Sequence, residues 1–139
     1  MRTRSKIATL AGAAVLVSTW LVSGATPASA AGPCGGGYNR VGVYPIPAGG
    51  ARTGTLEVYY NSSSGKNCAL AYGYGRYAGS KNRKQVAISL SGKTSWADAD
   101  NGLFVHYAGP VYVSARGKCI SLRGQVASGV RQLYKAHCR

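Results

Sequence analysis

Acidic residues are almost missing from this chain: its 139 residues hold 3 Asp or Glu against 17 Lys or Arg, with only 2 His, 1 Met and 1 Phe. So few carboxylates leave little for chemistry built on paired acids, such as glycoside hydrolysis. Two of the three acids fall in Asp98-Ala99-Asp100-Asn101-Gly102. Alternating acids before a glycine suit a calcium loop, but the downstream bidentate Glu and the full ligand count are lacking. The segment therefore reads as a turn between strands. The cysteines lack the Cys-x-x-Cys spacing typical of a zinc site. No Gly-x-Ser-x-Gly elbow accompanies the many serines. Helical periodicity is nearly absent, and beyond residue 30 no apolar run is long enough to span a bilayer.

The one long apolar run stands at the start. Arg2, Arg4 and Lys6 precede an uncharged stretch from Ile7 to Gly24, and Pro27 leads into the small-residue sequence Ala28-Ser29-Ala30. Charged start, apolar middle and small-residue end make residues 1–30 a secretory signal peptide. A transmembrane anchor is the competing reading, since the run meets the length of about 18 residues that one needs. Cleavage after Ala30, or after the neighbouring Ala31, leaves an exported single basic domain over residues 31–139, with no transmembrane anchor. That part carries fourteen basic residues against Glu57, Asp98 and Asp100, a net of +11. Such an excess draws a protein to anionic partners. Outside a cell these include wall polymers, membrane surfaces, acidic polysaccharide and released nucleic acid; a merely well-solvated surface is the plain alternative.

Cys34, Cys68, Cys119 and Cys138 all lie in this part. An even number in a short exported chain points to two disulfides. Of three possible pairings, Cys34–Cys68 with Cys119–Cys138 is favoured, because each closes a short local loop. Each would contribute about 3–4 kcal/mol by loop-closure entropy.

Strand patterns recur along the domain. Leu56, Val58 and Tyr60 alternate with Thr55, Glu57 and Tyr59; Cys68, Leu70, Tyr72 and Tyr74 share one face of the next run. Asn61 to Gly65 reads as the hairpin loop between them. Val86, Ile88 and Leu90 alternate with Gln85, Ala87 and Ser89, and Ser91-Gly92-Lys93 ends that strand. Further strands are expected over Leu103 to Tyr107, Val111 to Ser114 and Cys119 to Leu122. Ala108-Gly109-Pro110 separates the first two, and Arg116-Gly117-Lys118 turns into the third. Gly35 to Gly37 and Pro45 to Gly50 read as loops. The tail from Ser128 to Arg139 is ambiguous, with room for a short helical turn. Val58-Tyr59-Tyr60 before Gly65-Lys66-Asn67-Cys68 echoes Val111-Tyr112-Val113 before Gly117-Lys118-Cys119, either a duplicated hairpin or a coincidence. The whole predicts an all-β fold: a small antiparallel sandwich or partly closed barrel with two disulfides.

All ten tyrosines lie in this domain, and Tyr72, Tyr74, Arg76 and Tyr77 run into Lys81, Arg83 and Lys84. Tyrosine faces beside cations stack sugars or bases while Lys and Arg hold anionic groups. These seven residues form the candidate site for an anionic polymer; a packed strand end followed by a polar loop is the alternative. Glu57 as base and His106 as acid, with a nearby Arg, would make a small ribonuclease; an ordinary exposed Glu57 and a packed His106 are favoured instead.

Taken in order, Cys34-Gly35 with Gly37-Tyr38, Tyr60-Asn61, Gly65-Lys66-Asn67-Cys68, Trp96 with the acidic segment after it, Tyr107-Ala108-Gly109-Pro110-Val111-Tyr112-Val113, Cys119 and His137-Cys138 resemble the spore-associated protein A family of small exported actinomycete proteins. The resemblance covers most of the region from Cys34 to Cys138. The chain departs from it in ending on Arg139 where a small residue is expected, in a longer stretch from Val41 to Thr53, and in its basic excess. The resemblance implies export and association with spores or aerial growth, and it carries over neither enzymatic activity nor catalytic residues.

The expectations are then a secreted non-enzymatic spore- or cell-surface protein whose partner is an anionic cell-wall or spore-surface polymer, with no cofactor, no metal and no specific nucleic acid. A secreted antimicrobial or inhibitor is the main alternative. N-terminal sequencing of the exported protein should begin at Ala31 or Gly32; an intact Met1 would contradict cleavage.

Overall fold

The computed structural model describes residues 32–139, so the leader and its cleavage point lie outside the described residues. Eight antiparallel strands run in order: β1 (Asn39–Ile46), β2 (Gly54–Asn61), β3 (Lys66–Gly73), β4 (Asn82–Leu90), β5 (Asp98–Phe104), β6 (Tyr107–Ser114), β7 (Ile120–Val126) and β8 (Gly129–Ala136). They form two four-stranded sheets, β1-β2-β3-β6 and β5-β4-β7-β8. The fold is thus a sandwich, and no backbone ladder joins one sheet to the other.

The alternation seen in sequence is what stacks the sheets. Ile46, Leu56, Val58, Ala69, Ala71 and Val111 of the first sheet meet Val86, Ile88, Ile120, Leu122 and Val126 of the second in one buried core. Strand β3 is covered on both faces, because Cys68 and Leu70 point outward into a smaller cluster under the N-terminal segment, with Cys34, Tyr38, Tyr59, Tyr72, Tyr107 and Tyr112. The Cys34–Cys68 disulfide pins that segment down, and Cys119–Cys138 closes the second loop. Both are the expected pairs.

The open edges are bridged by side chains. At one seam β5 of the second sheet faces β6 of the first. Here the backbone N–H of Tyr112 donates to Asp98 Oδ2 at 2.9 Å, and that of Gly109 to Asp100 Oδ2 at 2.8 Å. At the other seam, between β1 and β8, Tyr44 Oη and His137 Nε2 lie 2.7 Å apart, and Arg131 Nη1 donates to the Pro45 carbonyl at 3.2 Å. Burial, with the Arg139 charge beside it, holds the His137 imidazole below its ordinary pKa.

Several expectations change. The acidic segment is strand β5 rather than a turn, because its carboxylates find backbone donors on β6. The strand placed over Leu103 to Tyr107 is broken at Val105-His106, which is the turn between β5 and β6. Ala108-Gly109-Pro110 lies inside β6, where Gly109 and Pro110 bulge opposite Leu70; Gly109 has φ +104 and a Cβ there would come within 2.8 Å of the Ala69 carbonyl oxygen. Pro45 and Ile46 belong to β1, and the tail forms β8 rather than a helical turn. The apparent echo is not a duplicated hairpin: β2–β3 pair within one sheet, whereas β6–β7 cross between sheets.

Replacing Asp98 or Asp100 by Ala leaves a backbone donor at the seam without its carboxylate, a loss of about 1–3 kcal/mol. Urea denaturation should show each single variant destabilised; an unchanged midpoint in both would mean the seam does not depend on these bonds.

Candidate functional site

The candidate strip separates when folded. Tyr72 sits half-buried on the outer face of β3, its ring 5.3 Å from that of Tyr107; burial, with Glu57 and Tyr107 nearby, raises its pKa. Tyr74 is exposed and lies under the Arg52 guanidinium at 4.1 Å. Arg76 and Tyr77 form a short 3₁₀ turn, Gly75–Tyr77. Arg76 stacks over the Tyr77 ring at 4.9 Å and donates to its hydroxyl at 2.8 Å. Tyr77 packs on the main core. Lys81 and Arg83 are exposed, with Arg83 Nη1 donating to Asn101 Oδ1 at 2.9 Å.

Lys84 does not belong to this surface. Its side chain is fully buried, and its Nζ donates to the carbonyls of Phe104 at 2.8 Å, Val105 at 3.1 Å and Ser80 at 3.1 Å, and to Asn82 Oδ1 at 2.8 Å. It plugs the end of the sandwich beneath the β5–β6 turn. Desolvation lowers its pKa, and four oxygen acceptors stand where a carboxylate would otherwise be needed.

Every side-chain carboxylate is tied into the fold. Asp98 and Asp100 hold the seam. Glu57, on the outer face of β2, takes Arg40 Nη1 at 3.3 Å and the Tyr59 hydroxyl at 2.8 Å. Burial and that hydrogen bond push the Tyr59 pKa up to about 12. Arg40–Glu57 is the one ion pair among the described residues. His106 lies in the β5–β6 turn, with β3 standing between β2 and β6 in the sheet, so Glu57 is already engaged and His106 makes no hydrogen bond to it. Among the described residues no group of three or more His, Cys, Asp and Glu side chains could hold a metal.

A cationic cleft that has no local sequence pattern appears at one pole. Ser91 knots three segments together: its N–H donates to the Cys119 carbonyl at 3.0 Å, and its Oγ accepts the Lys135 N–H at 3.0 Å. Cys119–Cys138 ties the chain end to the same place. The resulting cleft, about 420 Å³, has Leu90 and Cys119 in its wall and three lysines around it, Lys93, Lys118 and Lys135. All three are exposed. Their positions, 93, 118 and 135, are too far apart for any window along the chain to group them.

These features define a small disulfide-bonded β-sandwich whose acids serve the fold and whose free charge is cationic. The chain belongs to the spore-associated protein A family. It is 35% identical over 130 residues to spore-associated protein A of Streptomyces coelicolor (strain A3(2)), covering 91% of this chain and 80% of that protein. No family model matches the chain, and no solved structure matches it.

Lys84→Met removes the buried ammonium and leaves its oxygen acceptors unpaired, a loss of about 1–3 kcal/mol, whereas Lys81→Gln should leave stability within about 0.5 kcal/mol. Thermal melts of the two variants check this; equal melting temperatures would return Lys84 to the surface.

Proposed function

We propose that the protein is a non-enzymatic component of the spore or cell surface, exported and retained there by anionic envelope polymer. The observation that carries this reading is the separation of charge. Glu57, Asp98 and Asp100 are all engaged within the fold, and Lys93, Lys118 and Lys135 gather at one pole with no Asp or Glu side chain among them. A disulfide and backbone hydrogen bonds hold the main chain that carries these lysines, so only their side chains remain to be ordered when a polyanion arrives. Tyr74, Arg76, Lys81 and Arg83 are also exposed, each with its own surroundings. The name of the Streptomyces relative supports the location, and family membership supports a role without catalysis.

Contacts between exposed charges weaken as salt shortens the screening length from about 10 Å at 0.1 M to about 3 Å at 1 M. Washed spores and washed mycelium should therefore retain the native protein at low salt and release it at high salt. Protein found only free in the culture medium would contradict surface retention and favour a secreted antagonist, to be tested by growth inhibition of other bacteria.

A further inference from the structure

A second cleft adjoins the cationic one. It measures about 370 Å³ and lies against the outer face of the second sheet, where the loop after β4 folds beside β8. Trp96 and Tyr134 line it together with Ser89, Ser121 and Gln132. Lys93 lines both clefts, so the two meet at that side chain. Trp96 is 36% exposed and Tyr134 69%, large aromatic surfaces to leave in water. Neither is needed by the buried core.

The chemistry of this groove is specific in kind. Aromatic rings offer flat apolar faces with a polar tip, which suit the C–H face of a sugar ring. The exposed hydroxyls of Thr94 and Ser95, which also line the cleft, and the Gln132 amide both donate and accept hydrogen bonds, as a ring of sugar hydroxyls requires. A few polar groups beside aromatic walls are the ordinary make-up of a small-molecule site. Lys93, Lys118 and Lys135 then supply positive charge one step along the same groove.

We propose that this groove binds an acidic polysaccharide, seating a sugar ring between Trp96 and Tyr134 and its neighbouring carboxylate or phosphate among Lys93, Lys118 and Lys135. The proposal rests on the anionic-polymer reading above and adds to it a sugar subsite, which charge alone would not need. Lipid headgroups and free polyphosphate satisfy the lysines but leave the aromatic walls unused.

Calorimetric titration of the disulfide-bonded protein separates the two parts. Three probes are used: oligogalacturonate, which has sugar and charge; its methyl ester, which has sugar alone; and inorganic polyphosphate, which has charge alone. Oligogalacturonate should bind more tightly than its methyl ester. Trp96→Ala and Tyr134→Ala should each weaken oligogalacturonate about tenfold, a difference of about 1.4 kcal/mol, and leave polyphosphate unchanged. The double change Lys118→Gln with Lys135→Gln should weaken both anions. Tyr134 is the more exposed of the two aromatics, so its variant keeps the test valid if Trp96→Ala loosens the loop. The proposal is overturned if oligogalacturonate does not bind, if the methyl ester binds as well, or if neither aromatic variant alters affinity. In that last case salt-sensitive retention on spores can still hold, so the sugar subsite fails without the surface reading. Conversely, Trp96-dependent binding with no retention on spores or walls would remove the surface reading alone.

Discussion

Two hydrogen bonds from the backbone of β6 to Asp98 and Asp100 organise much of what is distinctive here. An edge strand carries unpaired N–H groups that water, a neighbouring strand or a side chain must satisfy. Strand β6 is the edge of its sheet, and β5, the edge of the other sheet, answers it with carboxylates rather than with a ladder. Charge-assisted bonds of this kind are stronger than neutral ones. They close a sandwich seam at the site where Gly109 and Pro110 interrupt regular pairing. The opposite seam is closed by Tyr44, His137 and Arg131, and Lys84 caps the end of the core with its three N–H groups set among four oxygen acceptors.

This arrangement links the fold to the surface it presents. Because Asp98 and Asp100 face the seam and Glu57 is taken up by Arg40 and Tyr59, most cations on the outside have no acid beside them, unlike those on an ordinary mixed surface. The self-repulsion that follows is met by covalent and local bonding: two disulfides, one of which fixes the pole where the lysines gather. The same bonding makes that pole a preorganised one. The Ser91 contacts and the Cys119–Cys138 link hold three separate segments together, so Lys93 and Lys118 from loops meet Lys135 from β8 beside the aromatic cleft.

Much of the sandwich was legible because its core follows a period of two. Val86, Ile88 and Leu90 alternate cleanly, as do Leu56 and Val58, and the disulfide pairs follow from loop length. The same alternation carried an unread warning about Lys84, which lies two residues before Val86 and so on the core face. The basic character of Lys81, Arg83 and Lys84 as a run outweighed it. Asp98 and Asp100 also alternate, with Ala99 and Asn101, but turn-forming residue types masked a strand whose stability comes from donors on another sheet. The lysine cleft was the least legible. Lys118 beside Cys119 and Lys135 three positions before Cys138 were a partial clue once that disulfide was expected. Lys93 joins them only through Ser91, a contact between distant segments. Trp96 stands in the family motif, whereas Tyr134, on the other wall of the cleft, lies in a segment with no distinguishing pattern.

The central claim is that a polyanion engages the pole where Lys93, Lys118 and Lys135 gather, rather than the positive surface at large. Chemical-shift mapping of the isotope-labelled protein during titration with extracted envelope polymer tests it most directly. The account predicts perturbed amides concentrated in residues 91–96, 117–119 and 133–136. Shifts centred on Tyr74 to Arg83, or spread evenly over both sheets, would contradict it.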